Sequence, residues 1–98
     1  MEQDIFDVRG LHVVITGGAS GIGLAAAREL AGRGAMVDIW DIRPASLAAA
    51  LEGQLAAFHE QVITRPVDVS DADAVEVAAD AAWRAAPVDV LINCAGIT

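Results

Sequence analysis

Thr16-Gly17-Gly18-Ala19-Ser20-Gly21-Ile22-Gly23 lies between an apolar run, Leu11-His12-Val13-Val14-Ile15-Thr16, and a segment of helical spacing, Ile22 to Arg33. The apolar run is short, β-branched and nearly continuous, as expected of a strand buried on both faces of a parallel sheet. In the segment that follows, Ile22, Ala26 and Leu30 recur at i, i+4 and i+8 and Gly34 ends the pattern, which predicts a helix with that stripe turned inward. Strand, glycine turn and helix together open a βαβ unit. Gly17 permits the sharp exit from the strand, Gly21 removes a side chain where a pyrophosphate must approach the backbone, and Gly23 allows close packing of the helix. The helix start adds amides and the positive end of its dipole, so Gly17, Gly18, Ser20, Gly21, Ile22 and Gly23 are the candidate phosphate-binding residues. A tight strand-to-helix turn needs glycine for its own sake, so the βαβ context gives the pattern its meaning.

The same alternation continues along the chain. Met36 to Trp40 reads as a second strand closed by Asp41, and Pro44 punctuates the loop before a helix whose apolar stripe is Leu47, Leu51, Leu55 and Phe58. Residues 62–67 form a third strand, in which Pro66 cannot donate a ladder hydrogen bond and therefore belongs on a sheet edge. Ser70 is placed to cap a third helix, Asp71 to Ala85, with acids in its first turn and Val75, Ala78 and Ala82 inward. Pro87 ends it, and residues 88–93 form a fourth strand leading into Cys94-Ala95-Gly96. The expected architecture is an α/β, three-layer, doubly wound parallel sheet of Rossmann type. An outermost third strand makes its order 3-2-1-4, in one unit over residues 1–98.

In such a sheet, ligands bind outside the carboxyl ends of the strands where the order reverses, here between Thr16-Gly17 and Asn93-Gly96. Asp41 follows Gly23 at close to the ~20-residue spacing of an acid that holds the adenosine ribose. Its carboxylate can accept both ribose hydroxyls and would repel a 2′-phosphate, so NAD is expected in preference to NADP, although Arg43 two positions on could reach a phosphate. After strand three, Asp68 can accept from an adenine amino group and Val69 can cover the ring edge; taken alone, Asp68 fits a plain turn equally well. His12 is expected to be a strand residue with a hydrogen-bond partner and His59 a loop residue, and neither takes a role.

Composition narrows the partners. The chain has 98 residues, 55% of them hydrophobic, and fourteen acids against six basic residues give a net charge of −8. That field repels polyanions, so nucleic acid is not an expected partner, while backbone amides can still hold a small phosphate at short range. A single cysteine, Cys94, excludes an internal disulfide, suits a reducing cytoplasm and, with only two histidines, leaves no metal-ligand cluster. The acidic start lacks the pattern of a secretion signal, and no apolar run reaches the ~18 residues of a membrane span.

These residues together resemble the short-chain dehydrogenase/reductase family. Its Thr-Gly-x-x-x-Gly-x-Gly corresponds to Thr16 to Gly23, its acid after strand two to Asp41, its adenine-site pair to Asp68-Val69, and its Asn-Asn-Ala-Gly to Asn93-Cys94-Ala95-Gly96. Within the family the likeness is to the 3-oxoacyl-[acyl-carrier-protein] reductase type. The resemblance implies an NAD(P)-dependent oxidoreductase acting on a small alcohol or carbonyl substrate, with a homo-oligomeric parent. It also implies that Asn93 ties strand four into the sheet, as a buried asparagine amide can, and that Cys94 to Gly96 lie along the nicotinamide ribose. Cys94 departs from the commoner second asparagine and is expected to be a small buried filler rather than a reactive thiol.

The family moves its proton with a tyrosine and a lysine, and this sequence contains neither. Both fall after residue 98 in relatives, and Ser20 and Ser46 precede strand four, so no catalytic residue is assigned. The expectation is the front of such an enzyme, inactive alone, marginally stable and with an apolar fourth-strand edge at Val90, Leu91 and Ile92. A non-catalytic dinucleotide-binding or regulatory module is the alternative. A different enzyme on the same fold, such as a methyltransferase, is disfavoured by Asn93-Cys94-Ala95-Gly96.

Overall fold

In the computed structural model, which describes residues 7–95, four parallel strands form one sheet in the order β3-β2-β1-β4. They are β1 (His12–Thr16), β2 (Met36–Asp41), β3 (Val62–Pro66) and β4 (Val90–Asn93). Helices α1 (Gly21–Gly32), α2 (Pro44–Glu52) and α3 (Ala72–Ala85) alternate with them, and a 3-10 segment, Ala56–Gln61, precedes β3. Every residue of β1 is buried, because it is flanked by β2 and β4 within the sheet and covered on both faces.

Strand alternation sorts the core into two layers. Val13, Ile15, Val37 and Ile39 point to one face and pack against Leu24, Ala27 and Ala31 of α1, Leu47 and Ala50 of α2, and Leu55. Val14 and Trp40 point to the other and meet Ala78 and Ala82 of α3. Each fully buried valine or isoleucine contributes roughly 1.5–3 kcal/mol, and the side chains of β1 and β2 supply most of these.

The expected stripe of α1 needs correction. Ile22 is 70% exposed, while Gly23, Leu24, Ala27 and Ala31 are buried, with Ala26 and Leu30 at the flank. The smallest residues face the sheet because they let the helix axis come close. The second helix is also shorter than its apolar stripe: it stops at Glu52, and Leu55 and Phe58 reach the core from the turn and 3-10 segment beyond Gly53. Ser70 does not cap α3. Asp71 does, its side chain accepting from the amides of Asp73 and Ala74.

Pro66 sits at the last position of the edge strand, paired with Asp41, as its missing amide requires. Strand four is regular only over Val90–Asn93, with Val90 and Leu91 exposed and Ile92 partly packed on the core. No helix among the described residues is long and apolar enough to cross a membrane.

Candidate functional site

The carboxyl ends of all four strands open into a cleft of about 480 Å³. From the glycine turn it is lined by Gly17, Ser20, Gly21, Ile22 and Gly23, from β2 and its exit by Trp40, Asp41, Ile42 and Arg43, from the β3 exit by Val67, Asp68 and Val69, and from the β4 exit by Cys94 and Ala95. Most residues singled out from the sequence therefore share one wall-to-wall site. Gly18 lies beneath it, where an added Cβ would fall 2.6 Å from Ile39 Cγ2. Gly96 lies outside the described residues.

Two glycines make the close approach possible. Gly17 has φ +69°, and a Cβ there would sit 2.9 Å from the Ala95 amide nitrogen. Gly23 carries the first turn of α1 directly over the backbone of Gly17 and Gly18, with room for a hydrogen but no methyl group. Together they bring the β1 exit, the α1 start and the β4 exit into contact.

Thr16, absent from the candidates drawn from the sequence, fastens that junction. Its hydroxyl donates to Asn93 Oδ1 and accepts from the amides of Cys94, at 3.1 Å, and Ala95, at 3.2 Å. Its backbone carbonyl also accepts from the Cys94 amide. Asn93 is therefore exposed and held through its side-chain oxygen, rather than buried between backbones as expected. Cys94 is half-buried on the cleft wall, correcting the expectation of a buried filler, and its backbone amide makes the structural contacts. A threonine ending a strand at a glycine turn signals this role only once strand four is known to pair beside it. Thr16→Val keeps the shape and removes both functions of the hydroxyl; a loss of about 1–3 kcal/mol is expected in urea unfolding.

Helix α1 begins without a side-chain cap: Ser20 occupies the N-cap position and makes no capping hydrogen bond. The first-turn amides lack intrahelical acceptors and face the cleft, at the positive end of the helix dipole. In α3, by contrast, Asp71 occupies the first-turn amides, while α2 also begins without a side-chain cap. An added Cβ at Gly21 would meet nothing within 4 Å. The donors and the open space fit a phosphate group.

Asp41 is fixed across the cleft. One carboxylate oxygen accepts from the Ala19 amide at 3.3 Å and the other from the Arg43 amide at 3.2 Å. Each oxygen retains capacity for a further donor. Asp68 accepts from both the amide and the hydroxyl of Ser70, and these bonds hold its carboxyl below the usual carboxylate range. Ser70 thus fixes an acid on the cleft instead of capping a helix. The exposed apolar side chains of Ile22, Ile42 and Val69 gather along the same cleft, where a planar, partly apolar ligand would cover them.

The family description "short chain dehydrogenase" matches residues 11–98. The human 3-hydroxyacyl-CoA dehydrogenase type-2 is 43% identical over 91 residues, covering 92% of this chain and 33% of that protein. Among solved structures, a short-chain dehydrogenase/reductase from Burkholderia phymatum in complex with NAD superimposes with TM-score 0.80 at 35% identity, over 89% of this chain and 31% of that one. The C-domain of a bacterial malonyl-CoA reductase with NADP gives 0.83 at 34% identity, over 93% and 15%. The chain spans about a third of the length of the curated relatives it matches. From β1 to its last residue, it belongs to the short-chain dehydrogenase family.

Proposed function

We propose that this chain is the dinucleotide-binding front, over residues 1–98, of an oxidoreductase that moves hydride between a nicotinamide ring and a small alcohol or carbonyl compound. The observation that carries the reading is the convergence of the uncapped α1 start, Asp41 and the Asp68-Val69 pair on one cleft at the strand ends. Ser20, Gly21 and Ile22 offer backbone and hydroxyl donors to the pyrophosphate, while Gly17, Gly18 and Gly23 hold the turn beneath it. Asp41 accepts the adenosine ribose hydroxyls. Asp68 and Val69 take the adenine edge, and Asn93 with Cys94, Ala95 and Gly96 borders the nicotinamide ribose. The bound dinucleotide supplies the hydride chemistry; this chain's residues bind and orient it. A reducing, cytoplasmic setting and a homo-oligomeric parent go with the reading.

NAD is the preferred dinucleotide, because the Asp41 carboxylate competes with a 2′-phosphate for the same donors and space. Calorimetric titration should give tighter NAD than NADP binding, and Asp41→Ala should weaken NAD by on the order of tenfold, the loss of one or two charge-assisted hydrogen bonds. NADP binding that equals or exceeds NAD in the unmodified protein overturns the preference.

A dinucleotide-binding module without chemistry is the second reading, since the residues lining the cleft would bind the dinucleotide in the same way in either case. Coding DNA beyond Thr98 separates the two: an in-frame Tyr-x-x-x-Lys supports the oxidoreductase, and its absence supports the module.

A further inference from the structure

Trp40 is the last buried residue of β2 and stands immediately before Asp41, on the wall of the cleft. Its backbone carbonyl accepts from the Gly17 amide at 2.7 Å, so the same residue ties the strand to the glycine turn. Its side chain is only 6% exposed and packs on the α3 face of the sheet with Val67, Ala78 and Ala82. Filling an apolar layer does not require an indole. What the indole adds is a buried N–H, which must find an acceptor.

That N–H donates to Asp38 Oδ1 at 2.8 Å. Asp38 is fully buried two positions earlier on β2 and therefore lies on the same face of the sheet. Its carboxylate has no freedom to turn. Oδ1 also accepts from Arg65 Nε at 2.9 Å, and Oδ2 accepts from Arg65 Nη2 at 3.1 Å and lies 3.2 Å from His12 Nε2. Arg65 is the β3 residue in register with Trp40. A two-armed guanidinium fixes both the position and the tilt of a carboxylate, so the indole has one orientation in which its donor is satisfied.

We propose that Trp40 is a positioning residue for the dinucleotide: locked onto the Asp38-Arg65 pair, it fixes the end of β2 and holds the Asp41 carboxylate at a set distance from the glycine turn. The inference rests on the dinucleotide reading and adds to it a residue that acts through Asp41. A pyrophosphate and a ribose belong to one ligand, so an acid that drifts relative to the α1 amides satisfies one at the expense of the other. Asp41 is braced from its own side chain only by the Ala19 amide at 3.3 Å and the Arg43 amide at 3.2 Å, both longer than the indole bond to Asp38. The stiffness of the ribose site therefore comes from the residue before the acid. The Asp41 carbonyl, accepting from the Val67 amide at 2.9 Å, extends the same restraint to the β3 exit and its Asp68-Val69 pair.

Trp40→Phe keeps an aromatic ring and leaves Asp38 paired with Arg65, so the fold should survive it. Calorimetric titration should then show NAD and ADP-ribose weakened on the order of fivefold, the equivalent of one hydrogen bond. In an Asp41→Ala background the same substitution should cost no further affinity, because the carboxylate it positions is gone. A residue that merely supports the fold would weaken both proteins equally. Equal losses, or no loss in the otherwise unmodified protein, overturn the proposal. Failure of the unmodified protein to bind NAD overturns the dinucleotide reading, and the inference falls with it. If Trp40→Phe does not fold, the NMR resonance of the Trp40 indole N–H decides: saturating ADP-ribose should shift it in the unmodified protein and shift it less in Asp41→Ala, and an equal shift or none overturns the proposal.

Discussion

Asp38→Ala should destabilise the protein by about 3–5 kcal/mol, because it leaves the Arg65 guanidinium and the His12 ring in the interior without their common acceptor. Against a total stability of ~5–15 kcal/mol for a domain, that single change removes a large share of the fold's margin. Urea unfolding at neutral pH measures it, and a loss under about 1 kcal/mol would show that solvent already compensates these charges. Replacing His12, Asp38 and Arg65 together by apolar residues of similar volume should recover most of the loss, since a removed charge cluster costs far less than a broken one. Only the combined variant separates the cost of orphaned charges from the cost of altered packing.

Gly23→Ala should damage both stability and dinucleotide binding. The added methyl would lie 2.9 Å from the Gly17 carbonyl carbon and 3.1 Å from Gly18 Cα, against backbone that has no rotamer with which to yield. Helix α1 must then lift from the turn, taking its first-turn amides away from the cleft. The expected cost is about 1–3 kcal/mol in unfolding, with NAD affinity reduced on the order of tenfold or more, since one misplaced amide bond to a charged ligand is worth ~1.5–3 kcal/mol. Unfolding and calorimetric titration of the same preparation check the two parts. Unchanged NAD affinity would separate the closeness of α1 from the binding of phosphate.

The strand order and the position of the cleft were legible because they follow from short-range rules. Pro66 forbids an interior place for β3, and a parallel strand needs a helical crossover, so the four apolar runs have one economical arrangement. Asp41, Asp68, Val69 and the glycine turn then converge without any knowledge of side-chain packing.

What stayed hidden depended on partners distant in the chain. Apolar bulk put Ile22 on the inner face of α1, but close packing selected Gly23, Ala27 and Ala31. Ser70 and Asp71 are both sound N-caps by residue type, and only the paths of the two backbones decided that Ser70 serves Asp68. Asp38 reads as an interruption in an otherwise apolar strand, because its three partners come from its own strand neighbour Trp40, from β1 and from β3. Thr16 reads as the first letter of a glycine motif, although its hydroxyl serves the other end of the chain.

The two borders of the sheet are not equivalent. Along β3, Arg65 turns its charge inward to Asp38 and Pro66 removes an amide at the strand's end, both of which make that border a poor template for a neighbouring strand. Along β4, Val90 and Leu91 are exposed on a strand paired on one side only. The β4 border is thus the better template for an added strand, and the β3 border the poorer one.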